Sequence, residues 1–170
     1  DVNNGIVVDQ FARTSDPTIY AIGDCANLPC TYAPGGRVRL ESVQNAIDQA
    51  KHAAANICGK PKPYNEVPWF WSDQYDLKLQ IAGLSSSTEQ TVLRGEPESR
   101  SFAVFFLNEG RLTACYAVNS PREFMLSKKL IALKSRPDPA LLRDTNVPFK
   151  DIAEALERRA PAGAEWSAPY

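Results

Sequence analysis

The sequence predicts an α/β segment followed by a small α+β domain built on an antiparallel sheet. Three observations carry this reading. Residues 1–60 combine two short β-branched runs with one long helical repeat. Lys60 to Pro68 then places three prolines in nine positions, and beyond it apolar residues alternate with polar ones. The proline-rich stretch sets the expected boundaries, with a first segment at 1–60, a linker at 61–67, a second domain at 68–155 and a mobile tail at 156–170.

In the first segment, residues 5–11 (GIVVDQF) and 19–23 (IYAIG) read as strands, the second buried on both faces, with Ser15-Asp16-Pro17 turning the chain between them. A proline- and glycine-containing loop follows from Leu28 to Arg37. Val43, Ala46, Ile47, Ala50, Ala54 and Ile57 then recur at helical spacing, which predicts a helix ended by Gly59 and Pro61.

In the second domain, Leu77, Leu79 and Ile81 alternate and Thr91 to Arg94 is short and β-prone. Phe102, Val104 and Phe106 lead into a turn at Asn108-Glu109-Gly110, which hands over to Leu112, Ala114, Tyr116 and Val118. These segments predict an antiparallel sheet with one hairpin. Ser120-Pro121-Arg122-Glu123 reads as a capping box opening a helix to about Leu133, because the serine caps, the proline starts and the glutamate reaches back. Asp138-Pro139 repeats the cap-plus-proline device, and a last helix is expected over 149–159.

Composition narrows the function classes. With 44% hydrophobic residues the chain can bury a core, and 19 basic against 20 acidic residues give no overall attraction to nucleic acid or an anionic membrane. No apolar run reaches the roughly 18 residues of a membrane span, and Asp1 to Gly5 do not read as a signal peptide. A cytoplasmic protein with four free thiols is expected, as is more chain upstream of Asp1, because Met125 is the only methionine.

The stretch Thr14 to Asp24 carries the most chemistry. A strand that ends in Gly23-Asp24 puts a carboxylate at the carboxyl edge of a sheet, where open α/β folds bind ligands, and glycine lets a ligand approach the backbone. On spacing alone a Gly-Asp end is also a common turn. Ser42 starts the long helix, so its first free N–H groups and positive end are available to an anionic or electron-rich group. Val43 and Gln44 would supply those donors, and the plain alternative makes Ser42 an N-cap and Val43 core.

The full pattern T-x-x-x-x-I-Y-A-I-G-D resembles the second FAD fingerprint of two-dinucleotide-domain flavoprotein reductases. Together with Val38 to Ala46 (VRLESVQNA) and Pro68 to Tyr75 (PWFWSDQY), it is similar to the bacterial FAD-dependent NADH:ferredoxin reductases, the putidaredoxin reductase-like family that serves cytochromes P450 and ring-hydroxylating dioxygenases. The resemblance runs over roughly residues 5–155. It implies the C-terminal part of an FAD-binding Rossmann-like domain followed by a small antiparallel-sheet reductase C-terminal domain.

For site residues the resemblance implies that Gly23 and Asp24 hold the ribityl-pyrophosphate part of FAD and that Val43 and Gln44 contact the flavin. Trp71 is implied near the isoalloxazine and the docking surface as an electron-transfer candidate, while Trp69 stays open between flavin neighbour and packing anchor. Glu41 is a candidate to orient the nicotinamide or to hold a lysine supplied by the upstream part, or else is simply solvated. Lys51 is implied as a basic contact to a [2Fe-2S] ferredoxin, whereas Lys128, Lys129, Lys134 and Arg136 read as a solvated helix face. The implied cofactors are FAD and NADH, with monomer and homodimer both open. None of the nine glycines forms G-x-G-x-x-G, so the FAD pyrophosphate loop and the nicotinamide-binding unit are expected upstream, and this chain alone is expected to be inactive.

Two other classes stay in view. Cys25-x4-Cys30 has the spacing of a redox dithiol, which would suit a flavin disulfide or peroxide reductase. A non-catalytic interaction or dimerisation module is the other. His52, the only histidine, rules out multi-histidine metal sites and is expected on the helix surface.

Overall fold

The structure, a computed structural model, describes residues 1–159, and it divides into two compact units, Asp1 to Phe70 and Trp71 onward. The first unit holds a three-stranded sheet. β1 (Ile6–Val7) runs parallel to β2 (Ala26–Pro29), which pairs antiparallel with β3 (Arg37–Arg39). Val8, Ala21, Ala26, Leu28 and Tyr64 form its apolar core, so the proline-rich segment contributes Tyr64 to the first unit. Arg37 is drawn across the sheet to the Val8 and Asn27 carbonyls, at 2.7 and 2.6 Å.

Several expectations for this unit need correction. The run 5–11 pairs only at Ile6–Val7, and 19–23 is not a strand. Tyr20 forms an isolated bridge to Arg13, while Ile19 and Ile22 are exposed rather than buried on both faces. Among the described residues no strand lies beside that segment to complete a sheet. Ala26 to Pro29, assigned in part to a loop, is β2, held between two partners.

The long helix, α1 (Val43–Ile57), begins where expected, with Ser42 Oγ accepting the Asn45 amide at 3.2 Å. Its apolar stripe faces outward. Gln44, Asn45, Asp48, Gln49 and Ala53 are buried, while Val43 (59%), Ile47 (49%) and Ile57 are exposed. Inward amides can replace apolar side chains here because they hydrogen-bond one another and the backbone.

The second unit is a five-stranded sheet of order β4-β5-β8-β7-β6, comprising β4 (Trp69–Gln74), β5 (Leu77–Gly83), β6 (Gln90–Glu96), β7 (Ser101–Asn108) and β8 (Arg111–Val118). The expected hairpin joins β7 to β8 through Glu109 and Gly110, both at positive φ. A register shift at Phe106/Leu107 puts Leu107 opposite Leu112. The fully buried positions are Ala103, Phe105 and Leu107, so the alternation places Phe102, Val104 and Phe106 on the half-covered face. Gly83, with φ +76°, is obligatory, since a Cβ there would stand 2.0 Å from the Thr113 carbonyl oxygen.

Three helices complete the unit, α2 (Pro121–Ala132), α3 (Pro139–Arg143) and α4 (Phe149–Glu157). Asp138 caps α3 as expected, accepting the Ala140 amide at 2.8 Å. The capping box at α2 does not form. Ser120 makes no cap bond and lies 3.3 Å from Ser101 Oγ, because Glu123 turns instead toward Arg94, 3.7 Å away. Arg94 is a buried cation that donates to the carbonyls of Leu142, Asp144 and Val147 at 3.1, 2.7 and 2.7 Å. It thereby ties the segment between α3 and α4 to β6, and Phe149 stacks on Phe105 with centroids 5.2 Å apart.

Two further corrections concern charge and chain end. Lys128 is buried at 6% exposure and Lys129 pairs with Glu157 at 2.8 Å, so these two are not a solvated helix face, whereas Lys134 and Arg136 are exposed but lie beyond the end of α2. Of the expected tail, Leu156 and Glu157 belong to α4, and residues 160–170 lie outside the described residues.

Candidate functional site

Gly23, Asp24 and the start of α1 meet within the first unit. Gly23 to Cys25 form a single 3-10 turn rather than the end of a strand. Gly23 sits at φ +74°, the left-handed region that favours glycine, while a Cβ on it would make only ordinary contact with the Ala46 Cβ at 3.5 Å. The Gly23 amide donates to the buried Gln49 Oε1 at 2.7 Å. Asp24 is exposed. Its carbonyl accepts from Arg39 at 3.1 Å, and no described residue hydrogen-bonds its carboxylate.

At the helix start, Ser42 accepts the Asn45 and Ala46 amides, through Oγ and carbonyl respectively. The amides of Val43 and Gln44 are then the first-turn donors left over, and no acidic side chain occupies that turn. Gln44 itself is buried at 6%, its side chain donating to Asp48 Oδ2, so its approach to a ligand is through the backbone. An exposed carboxylate for hydroxyl groups beside a helix start for an anionic edge is a donor and acceptor set that fits FAD.

The remaining candidates fall elsewhere. Glu41 is ion-paired to Arg39. Lys51 lies on α1 with its ammonium 3.6 Å from Asp48 Oδ1. Trp71 lies in β4 with 39% of its surface exposed, and Trp69, two positions before it, shares its strand face. Lys51 and Trp71 belong to different compact units.

His52 is a correction. Its side chain is only 10% exposed, with Nδ1 2.8 Å from the Asp48 carbonyl, Nε2 3.8 Å from Glu66 and the ring edge-on to Tyr64 at 5.2 Å. The four cysteines are free thiols. Cys25 and Cys30 flank the extended β2, which separates them by on the order of 15 Å, well beyond disulfide reach. Burial also raises the Cys30 thiol above its ordinary value, against thiolate chemistry.

Sequence reasoning missed the buried amides of Asn45 and Gln49. Their only signal was a polar residue at each inward position of a helix whose apolar stripe suggested the opposite face.

Residues 69–153 match the reductase C-terminal family. The chain belongs to that family. Residues 1–50 match the pyridine nucleotide-disulphide oxidoreductase family, so the fold is a piece of a dinucleotide-binding domain followed by a reductase C-terminal domain. The chain is 45% identical over 152 residues to the 5,5'-dehydrodivanillate O-demethylase ferredoxin reductase subunit of a Sphingobium species, covering 89% of this chain and 37% of the relative. It is 49% identical over 153 residues to a probable ferredoxin reductase of Castellaniella defragrans, covering 90% and 37%. Among solved structures, the covalent putidaredoxin reductase-putidaredoxin complex matches with TM-score 0.86 and 42% identity, over 92% of this chain and 37% of that one. The chain thus spans little more than a third of the relatives it matches. Among the described residues no helix is long and apolar enough to cross a membrane.

Proposed function

We propose that this chain works as the C-terminal part of a flavoprotein that carries electrons from NADH through FAD to a [2Fe-2S] ferredoxin, which in turn feeds a P450 or dioxygenase. The observation that carries the proposal is the pairing of the exposed Asp24 carboxylate with the unclaimed Val43 and Gln44 amides beside it. The relatives support the activity, since two are named as ferredoxin reductases and a solved neighbour is a reductase bound to its redoxin. FAD, when bound, supplies the conversion between a two-electron donor and a one-electron acceptor.

The chain's own residues bind and orient. Asp24 accepts hydrogen bonds from the sugar-alcohol part of the cofactor, and Gly23 keeps the turn free of a side chain. The Val43 and Gln44 amides face the pyrimidine edge, where the helix start favours the more negative, reduced form. Trp71 contributes an aromatic surface between flavin and ferredoxin, and Lys51 adds positive charge for an acidic partner. Glu41, held by Arg39, shapes the rim on the nicotinamide side. In domain terms we take 1–60 as flavin-domain segment, 61–67 as linker and 68–155 as the reductase C-terminal domain. Four free thiols fit a cytoplasmic, reducing setting.

The test is to purify the longer polypeptide that contains this chain and follow NADH-dependent reduction of a [2Fe-2S] ferredoxin. Rapid ferredoxin reduction, retained when Cys25 and Cys30 are both replaced by serine, is the expected result. Loss of NADH oxidation in that double variant would instead support a disulfide-reductase reading.

A further inference from the structure

The buried face of α1 carries a continuous run of side-chain hydrogen bonds that begins at the Gly23 turn. Gln49 Oε1 accepts the Gly23 amide at 2.7 Å, and Gln49 Nε2 donates to Asn45 Oδ1 at 3.0 Å. Asn45 Nδ2 donates to the Leu40 carbonyl at 2.9 Å, in the segment that leads into the helix, and the Asn45 amide donates to the Ser42 cap. Tyr64 closes the run by donating its hydroxyl to Asn45 Oδ1 at 3.3 Å. Gln49 and Asn45 are buried at 2% and 0% exposure, yet each uses both ends of its amide.

Chemistry makes this more than packing. An amide has one acceptor end and one donor end, so two in series fix a direction as well as a distance. Here the series joins two backbone points, the Gly23 amide and the Leu40 carbonyl. These lie beside the two groups proposed above to hold different parts of one cofactor, the Asp24 carboxylate and the Val43 and Gln44 amides. A buried network of this kind has one fully satisfied arrangement and penalises the others.

We infer that Gln49 and Asn45 are positioning residues for the flavin: their linked amides set the spacing between the Asp24 turn and the first-turn donors of α1. The inference rests on the flavin reading above. With the spacing fixed, the helix donors meet the pyrimidine edge, where charge accumulates on reduction. With it relaxed, the reduced cofactor loses more binding than the oxidised one.

The experiment uses the longer polypeptide with FAD bound, and compares wild type with Gln49→Leu and Gln49→Glu. FAD affinity is measured by fluorescence on reconstitution, and the flavin midpoint potential by dye equilibration. Gln49→Leu is expected to weaken FAD at least about tenfold. It is expected to weaken reduced flavin about tenfold more than oxidised, which is a shift of about 30 mV to more negative potential for a two-electron couple. Gln49→Glu keeps an acceptor for the Gly23 amide but, as a carboxylate, loses the donor to Asn45 Oδ1, so the link is broken and FAD is expected to weaken as in Gln49→Leu. If Gln49→Leu does not fold, Asn45→Ser is read on the same two measurements with the same expectation. Affinity and potential equal to wild type in a folded variant, whatever its melting temperature, overturn the inference and leave the flavin reading standing. A wild-type polypeptide that takes up no FAD overturns the flavin reading, and this inference with it.

Discussion

Asn45 and Ile47 lie two positions apart on one helix, and the asparagine is fully buried while the isoleucine is 49% exposed. A helix with its amides inside and its apolar stripe outside is complete only if something else covers the stripe, since an exposed apolar face gains nothing from the hydrophobic effect. The relatives, more than twice as long as this chain, have polypeptide available for that purpose. Ile47→Glu is therefore expected to change the unfolding free energy of the 170-residue chain by less than about 0.5 kcal/mol. In the longer flavoprotein the same change should cost about 3 kcal/mol, because it would bury a charge. Urea unfolding of both forms makes the comparison, and equal costs would contradict it.

Arg94 is the second unit's main polar anchor. Replacing it with methionine keeps much of the apolar stem but abandons the Leu142, Asp144 and Val147 carbonyls and leaves Glu123 without its cation. The expected loss is about 3 kcal/mol or more, seen in urea unfolding, with earlier proteolysis in the segment between α3 and α4. An unchanged unfolding midpoint would show that these bonds contribute little.

Cys115 makes the second unit sensitive to alkali. Burial pushes its thiol from 9.0 up to about 12, with a Ser127 hydrogen bond opposing the rise and the Glu123 charge adding to it. The folded state therefore keeps a proton that the unfolded chain releases above about 9. The stability contribution is full below that pH and is lost as pH climbs toward about 12, at roughly 1.4 kcal/mol per pH unit. Cys30 and Tyr64, both raised chiefly by burial, act in the same sense. Cys115→Ala should make the decline in stability between pH 9 and 11 measurably shallower than in wild type. Parallel curves would indicate that Cys115 ionises freely in the folded protein.

The second unit was largely legible from period-two alternation, because its strands pair with neighbours inside the same chain. The first unit was less so. Ile19 to Gly23 has the composition of a buried strand, but a strand is defined by its partners, and among the described residues it finds only an isolated bridge, Tyr20 to Arg13. The helix over Val43–Ile57 was readable from spacing, whereas the face it buries was not. Apolar periodicity locates a stripe without saying which part of a protein it meets. Ser120 and Glu123 matched a capping pattern that Arg94 overrode, since a buried guanidinium draws the glutamate more strongly than a backbone amide does. In the candidate site, Asp24 and Val43 stood out through motif resemblance. The Gln49 and Asn45 network needed coordinates, because the amide of Gly23 that it serves lies 26 positions from Gln49 in sequence.

In the proposed function Asp24 faces the flavin, and the direct measurement is the FAD content and affinity of the longer polypeptide with and without that carboxylate. Wild type is expected to purify with about one FAD per chain and a bound-flavin spectrum. Asp24→Ala, which removes an exposed side chain and should leave the fold intact, is expected to bind FAD at least about tenfold more weakly. Equal FAD affinity in the two proteins would contradict the account.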